Sequence, residues 1–150
     1  MKADTVAAPQ PPLRVGVLGA GMIATISYGY LPHLGKIRDR VEVTAIANRG
    51  IEKARAVADA FDIADVVGSR DELLDRDLDA VVNLLPGPDH YAASKRILES
   101  GRHLVTEKPI ASSLVEADEL LDIAERGGLY VVSAPADMLA AAPTPVSGVP

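Results

Sequence analysis

Apolar residues in this chain alternate between two kinds of pattern. Short runs rich in Val, Leu, Ile and Ala occur at Leu13 to Gly19, Val41 to Ala47, Val66 to Gly68, Ala80 to Leu85, His103 to Thr106 and Leu129 to Ser133. Runs of this kind predict strands covered on both faces. Amphipathic stretches lie between them. In GIEKARAVADAF, Ile51, Ala54, Val57 and Phe61 recur at helical spacing while Glu52, Lys53, Arg55 and Asp59 fall on the other side. Helices are also predicted from Met22 to about Leu34, near Asp71 to Leu74, and from about Asp89 to Glu99. Pro32 should kink or end the first of these. Pro86-Gly87-Pro88 stops the fourth strand, and Gly101 stands where a helix end wants a left-handed residue. Ser113-Leu114-Val115-Glu116 is a capping box that opens a last long helix, ended by Arg126 and Gly127-Gly128.

Strands alternating with helices predict parallel βαβ units with right-handed crossovers. The expected fold class is α/β, a doubly wound parallel sheet over residues 13–133. Met1 to Pro12 has three prolines and no periodicity, and it reads as a disordered leader. Residues 134–150 carry four prolines and read as a Pro/Ala-rich tail or truncated linker.

Composition narrows the function classes. A net charge of −6 and only five aromatic residues, four Tyr and one Phe, argue against nucleic-acid binding. The absence of cysteine excludes disulfides and thiolate metal sites, and it fits a cytoplasmic protein. No run approaches the length of a membrane span. His33, His90 and His103 have no metal-ligand spacing, so no metal is expected.

The candidate chemistry begins directly after the first strand. Gly19-Ala20-Gly21-Met22-Ile23-Ala24 has the spacing G-x-G-x-x-A of the dinucleotide-binding fingerprint of Rossmann folds. Gly19 allows a sharp turn off the strand, and Gly21 allows backbone to approach a pyrophosphate. Ala24 lets the following helix pack closely, while its first-turn amides, those around Met22 and Ile23, would hold phosphate. In an NAD site an acid near the end of the second strand holds the ribose 2′-hydroxyl. Here that strand ends Ala47-Asn48-Arg49. Asn48 can still bond a hydroxyl and Arg49 can pair with a 2′-phosphate, which favours NADP(H) over NAD(H). The alternative is a turn residue followed by a solvated loop charge.

The ordered set of Gly19 to Ala24, the strand Ala80 to Leu85 ending in Pro86, the helix with His90 and Ala93, and GRHLVTEKP from Gly101 to Pro109 resembles the Gfo/Idh/MocA oxidoreductases. That family is named for glucose–fructose oxidoreductase and inositol dehydrogenase. The resemblance runs from the glycine turn to about Val132, and its E-K-P signature is the most specific part. It implies that Lys108 is the catalytic residue for proton transfer as a hydroxyl is oxidised or a carbonyl reduced. It also places Glu107 by the nicotinamide ribose, and His90, Leu85 and Pro86 along the cofactor. The substrate implied is a sugar, cyclitol or related polyol. Tyr91-Ala92-Ala93-Ser94-Lys95 spells the Y-x-x-x-K of short-chain dehydrogenases, but the glycine spacing differs. Tyr91 therefore reads as packing and Lys95 as a solvated helix charge.

Family members carry a second α/β domain that covers the substrate. Residues 134–150 match no part of it, so the expectation is a nucleotide-binding half alone. The alternatives are a non-catalytic NADP(H)-binding module and an inactive truncated fragment.

Overall fold

The computed structural model describes residues 10–133. Six strands form one parallel sheet in the order β3-β2-β1-β4-β5-β6. The strands are β1 (Leu13–Leu18), β2 (Val41–Ala47), β3 (Asp65–Val67), β4 (Ala80–Asn83), β5 (His103–Thr106) and β6 (Val131–Ser133). The helices are α1 (Met22–Thr25), α2 (Tyr30–Leu34), α3 (Ile51–Phe61), α4 (Arg70–Leu74), α5 (Gly87–Glu99) and α6 (Leu114–Gly127). The order reverses between β1 and β4, and the carboxyl ends of these two strands flank the crevice of such a sheet.

Both faces of the central strands β1 and β4 are buried, which is why they read as apolar runs, whereas the edge strand β6 leaves Val132 half exposed and is not covered as expected. On one face Val15, Val17, Ile46 and Val82 pack with Ala24, Leu31, Ala54 and Val57 of α1 to α3. On the other, Leu18, Ala45, Ala47, Val81 and Leu104 pack with Leu73, Ile97 and Leu120 of α4 to α6. Neighbouring residues of one strand serve opposite cores, as the pleat requires. Burying each Leu or Ile completely contributes about 1.5–3 kcal/mol. Arg14, at the far end of the sheet, ties β1 to the loop before β4 through Asp79.

Several expected boundaries move. The helix predicted from Met22 to Leu34 is two short helices separated at residues 26–29. Gly29 is the N-cap of α2. A Cβ there would lie 2.3 Å from the Ile23 carbonyl oxygen, so the reversal between the helices admits only glycine. Pro32 neither kinks nor ends a helix. It sits in the first turn of α2, where its missing N–H costs nothing. Pro86-Gly87-Pro88 does not stop β4, which ends two residues before Leu85; Pro86 is instead the N-cap of α5, which begins two residues ahead of Asp89. β4 ends at Asn83 because the Asn83 side chain takes over, its Oδ1 accepting from the Leu85 amide. β3 starts and ends one residue early, and β6 begins at Val131 rather than Leu129.

The remaining signals hold. Ser113 Oγ accepts from the Glu116 amide, and the Glu116 carboxylate accepts from the Ser112 amide. Gly101 and Gly128 both have positive φ, at 80° and 62°. The leader call lies almost wholly, and the tail call wholly, outside the described residues.

Candidate functional site

The carboxyl ends of β1, β2, β4 and β5 carry the residues singled out above, and two clefts lie along that edge. They share Leu84, Leu85 and Pro86. The larger, of about 610 Å³, is lined by Gly19, Gly21, Asn48 and Arg49, and also by Lys53, Arg70 and Asp89. The smaller, of about 340 Å³, is lined by Ile23, His90, Tyr91, Glu107 and Lys108.

Gly19 and Gly21 differ in what demands a glycine. Gly19 has φ 108°, and a Cβ on it would sit 3.0 Å from the Leu84 carbonyl oxygen. The turn itself needs it. Gly21 has an ordinary extended φ of −77°, and a Cβ there would meet no protein atom within 4 Å. Nothing in the fold requires glycine at 21. The open space beside it suits backbone approach by a ligand. Ala24 is fully buried under the sheet.

The helix after the turn has only four residues. The aligned dipole expected from a three-turn helix is correspondingly reduced, since it sums over successive peptides. Any hold on phosphate would rest on individual first-turn amides at Met22 and Ile23. Met22 keeps its side chain in solvent, and Ile23 faces the smaller cleft.

Asn48 bridges two loops. Its Oδ1 accepts from the Ala20 amide at 3.3 Å and its Nδ2 donates to the Gly50 carbonyl at 3.0 Å. The side chain therefore fixes the glycine turn against the β2–α3 loop while still lining the larger cleft. Arg49 is 88% exposed, with its guanidinium 3.7 Å from Asp89 at the start of α5. Lys53 and Arg70 join it around the same cleft. Sequence reasoning left these two out. A signal for Arg70 was present in Ser69-x-x-Glu72, a cap whose Ser69 Oγ accepts from the Glu72 amide and starts α4 at this edge.

His90 is buried at 5% exposure, and its Nε2 pairs with the hydroxyl of Thr106, itself wholly buried on β5. The ring thus links α5 to β5 from beneath the smaller cleft. Glu107 accepts from the Tyr30 hydroxyl at 3.0 Å through Oε1, and from the Lys108 amide at 3.3 Å through Oε2. Lys108 is exposed, and the Lys108–Pro109 peptide is cis.

The Y-x-x-x-K pair is spoken for. Tyr91 and Lys95 both donate to the carboxylate of Glu119 on α6. The hydrogen bond to Glu119 raises the Tyr91 phenol from its ordinary value, while the Lys95 and Tyr91 donors lower the Glu119 carboxyl. Lys95 is thus an ion-pair partner between two helices, not the free solvated charge expected. His103 Nδ1 accepts from the Tyr130 amide and His33 Nδ1 lies 2.7 Å from the Gly29 carbonyl. Among the described residues no group of three His, Asp or Glu could hold a metal ion, and no helix is long and apolar enough to cross a membrane.

Residues 13–134 match the family model GFO_IDH_MocA, described as an oxidoreductase family with an NAD-binding Rossmann fold. The chain is 38% identical over 123 residues to the dTDP-3,4-didehydro-2,6-dideoxy-alpha-D-glucose 3-reductase of Streptomyces violaceoruber, covering 79% of this chain and 34% of that protein. It is 32% identical over 113 residues to the inositol 2-dehydrogenase of Rhodococcus jostii, covering 73% of this chain and 29% of the relative. Among solved structures, KijD10, a 3-ketoreductase from Actinomadura kijaniata in complex with NADP, aligns with a TM-score of 0.75 at 36% identity. That alignment covers 81% of this chain and 38% of the other. The WlbA dehydrogenase from Bordetella pertussis, in complex with NADH and UDP-GlcNAcA, gives 0.74 at 22% identity over 82% of this chain and 37% of its own, a likeness of fold alone. This chain spans about a third of the length of the curated relatives it matches.

Proposed function

Since this chain belongs to the Gfo/Idh/MocA oxidoreductase family, with its NAD-binding Rossmann fold, we propose that residues 13–133 hold a dinucleotide across the two adjoining clefts and serve hydride transfer to or from a sugar, cyclitol or related polyol. The observation that carries this reading is that the two clefts share Leu84, Leu85 and Pro86 in their linings. One cleft holds the glycine turn and Arg49, the other holds His90, Glu107 and Lys108. The space at Gly21 supports the fit, because the protein itself leaves it unfilled.

The roles follow from position. Gly19, Gly21 and the amides of Met22 and Ile23 would face the pyrophosphate. Ala24 lets α1 approach β1 closely enough to bring them there. Leu85 and Pro86 form the apolar saddle between the two halves. Asn48 fixes the wall on the adenosine side. Arg49, with Lys53 and Arg70 around the same cleft, suits a 2′-phosphate better than a bare ribose, which favours NADP(H). The 36% identical structural neighbour bound to NADP supports that preference.

On the other side, Glu107 would accept from the nicotinamide ribose, with the buried His90–Thr106 pair holding the cleft floor in place. Bound there, the nicotinamide would supply the hydride donor or acceptor. Lys108, exposed beside it at the carboxyl end of β5, would give or take the proton of the substrate oxygen. The substrate class rests on the relatives named for a deoxysugar nucleotide and for inositol. Titrating the protein with NADPH and following nicotinamide fluorescence tests the reading. Saturable binding is expected, and its absence would overturn it.

A further inference from the structure

Tyr30 is the largest fully buried side chain among the described residues, yet its hydroxyl does not end in a hydrophobic dead end. The strict glycine at 29 makes the break after α1, and the break makes Tyr30 the first residue of α2. From there the ring crosses the core shared by α1 to α3, and its oxygen reaches Glu107, 77 residues away in sequence, at 3.0 Å. The other carboxylate oxygen accepts the Lys108 amide. A carboxylate gripped at both oxygens has one orientation. Glu107 is half-buried and lines the smaller cleft, so the held carboxylate stands where a ligand can meet it.

Resting on the cofactor reading above, we propose that Tyr30 is a positioning residue, which aims the Glu107 carboxylate at the nicotinamide-side ribose. Burial, reinforced by the charge and hydrogen bond of Glu107, holds the Tyr30 phenol far above its ordinary value. It therefore remains a hydrogen-bond donor throughout the working pH range. Tyr30 also joins the two sides of the crevice, since α2 follows the glycine turn of β1 while Glu107 follows β5.

The test compares two probes on wild type, Tyr30→Phe, Glu107→Gln and the double variant. NADPH would span both clefts, whereas 2′,5′-ADP lacks the nicotinamide mononucleotide half. Tyr30→Phe should weaken NADPH about three- to tenfold, the scale of one ordinary hydrogen bond, because it acts through the aim of Glu107 and not by direct contact. Binding of 2′,5′-ADP should stay within about twofold. Glu107→Gln should show the same selective loss, and the double variant should lose no more than the larger single loss. Unchanged NADPH binding in Tyr30→Phe would overturn the inference. Parallel weakening of both probes would also do so, since it marks a purely structural role, as would a Glu107→Gln variant that binds NADPH normally. If the wild type binds neither probe, the cofactor reading itself fails. Wild-type binding with an indifferent Tyr30 sinks only the positioning role.

Discussion

The amide nitrogen of Asn83 donates to the His90 carbonyl and to the Ser94 hydroxyl, both at 2.9 Å, while its oxygen accepts the Leu85 amide. Asn83 and Ser94 are wholly buried, so these bonds are made where water cannot replace them. They lock the last residue of β4 to the first and second turns of α5, and so fix the wall shared by both clefts. Asn83→Leu should cost about 2–4 kcal/mol, because it leaves the His90 carbonyl, the Ser94 hydroxyl and the Leu85 amide short of partners. Urea denaturation measures this. A loss under about 1 kcal/mol would mean that the network contributes little.

The two glycines of the turn should separate folding from binding. Gly19→Ala forces a Cβ against the Leu84 carbonyl at a φ of 108°, and should destabilise by about 1–3 kcal/mol. Gly21→Ala meets open space at an ordinary φ, and should leave stability within about 0.5 kcal/mol. It should nevertheless weaken NADPH more than about tenfold, since the methyl fills room kept for pyrophosphate. Thermal melts beside fluorescence titrations make the comparison. Normal NADPH affinity in Gly21→Ala would remove the pyrophosphate from this turn.

Arg49, after β2, and Asp89, on α5, both line the larger cleft as an exposed pair 3.7 Å apart. A 2′-phosphate would compete with Asp89 for that guanidinium. Arg49→Ala should weaken NADPH about fivefold or more and NADH less than about twofold. Asp89→Asn should strengthen NADPH modestly, about two- to fivefold, as expected for releasing an exposed ion pair. Isothermal titration with both cofactors reads the ratio, and an unmoved ratio in Arg49→Ala would remove its assigned role.

At the opposite end of the sheet, the Arg14 side chain and backbone amide together lower the Asp79 carboxyl below its ordinary 3.8. A carboxyl lowered on folding stabilises the native state at pH above its unfolded value, and that contribution is lost as pH falls through the folded value. Stability should therefore drop from about pH 4 downward, and Asp79→Asn should be less stable at neutral pH with a shallower acid limb. Denaturation midpoints from pH 7 to 2 check the slope. An identical acid limb in Asp79→Asn would assign it to other carboxylates.

Lys108 offers a kinetic test. In a form of the protein that turns over, Lys108→Ala should lower kcat by about 100-fold or more, the scale of general acid–base assistance. NADPH affinity should change by less than about twofold, because the side chain is exposed at the cleft rim. Steady-state kinetics and titration of the same variant decide it, and full turnover would exclude Lys108 from proton transfer.

Sequence by itself determined the sheet and most of its helices. Apolar runs and stretches of 3.6-residue periodicity are written locally, so β2 and β5 could be read to the residue, and α3 to within its N-cap Gly50. The capping pair Ser113 and Glu116 and the left-handed Gly101 and Gly128 are equally local devices. So is the spacing from Gly19 to Ala24. Tertiary structure decided what depends on contacts between distant segments. The break at Gly29 is set by the Ile23 carbonyl pressing where a side chain would stand, and apolar periodicity carries no trace of it. Tyr30 meets Glu107, His90 meets Thr106, and Tyr91 and Lys95 share Glu119 only because parallel crossovers bring separate helices to one sheet. The glycine turn was legible as a motif. That a Cβ at Gly19 would press on the Leu84 carbonyl while one at Gly21 would meet no protein atom became visible only when the neighbours of each were in place.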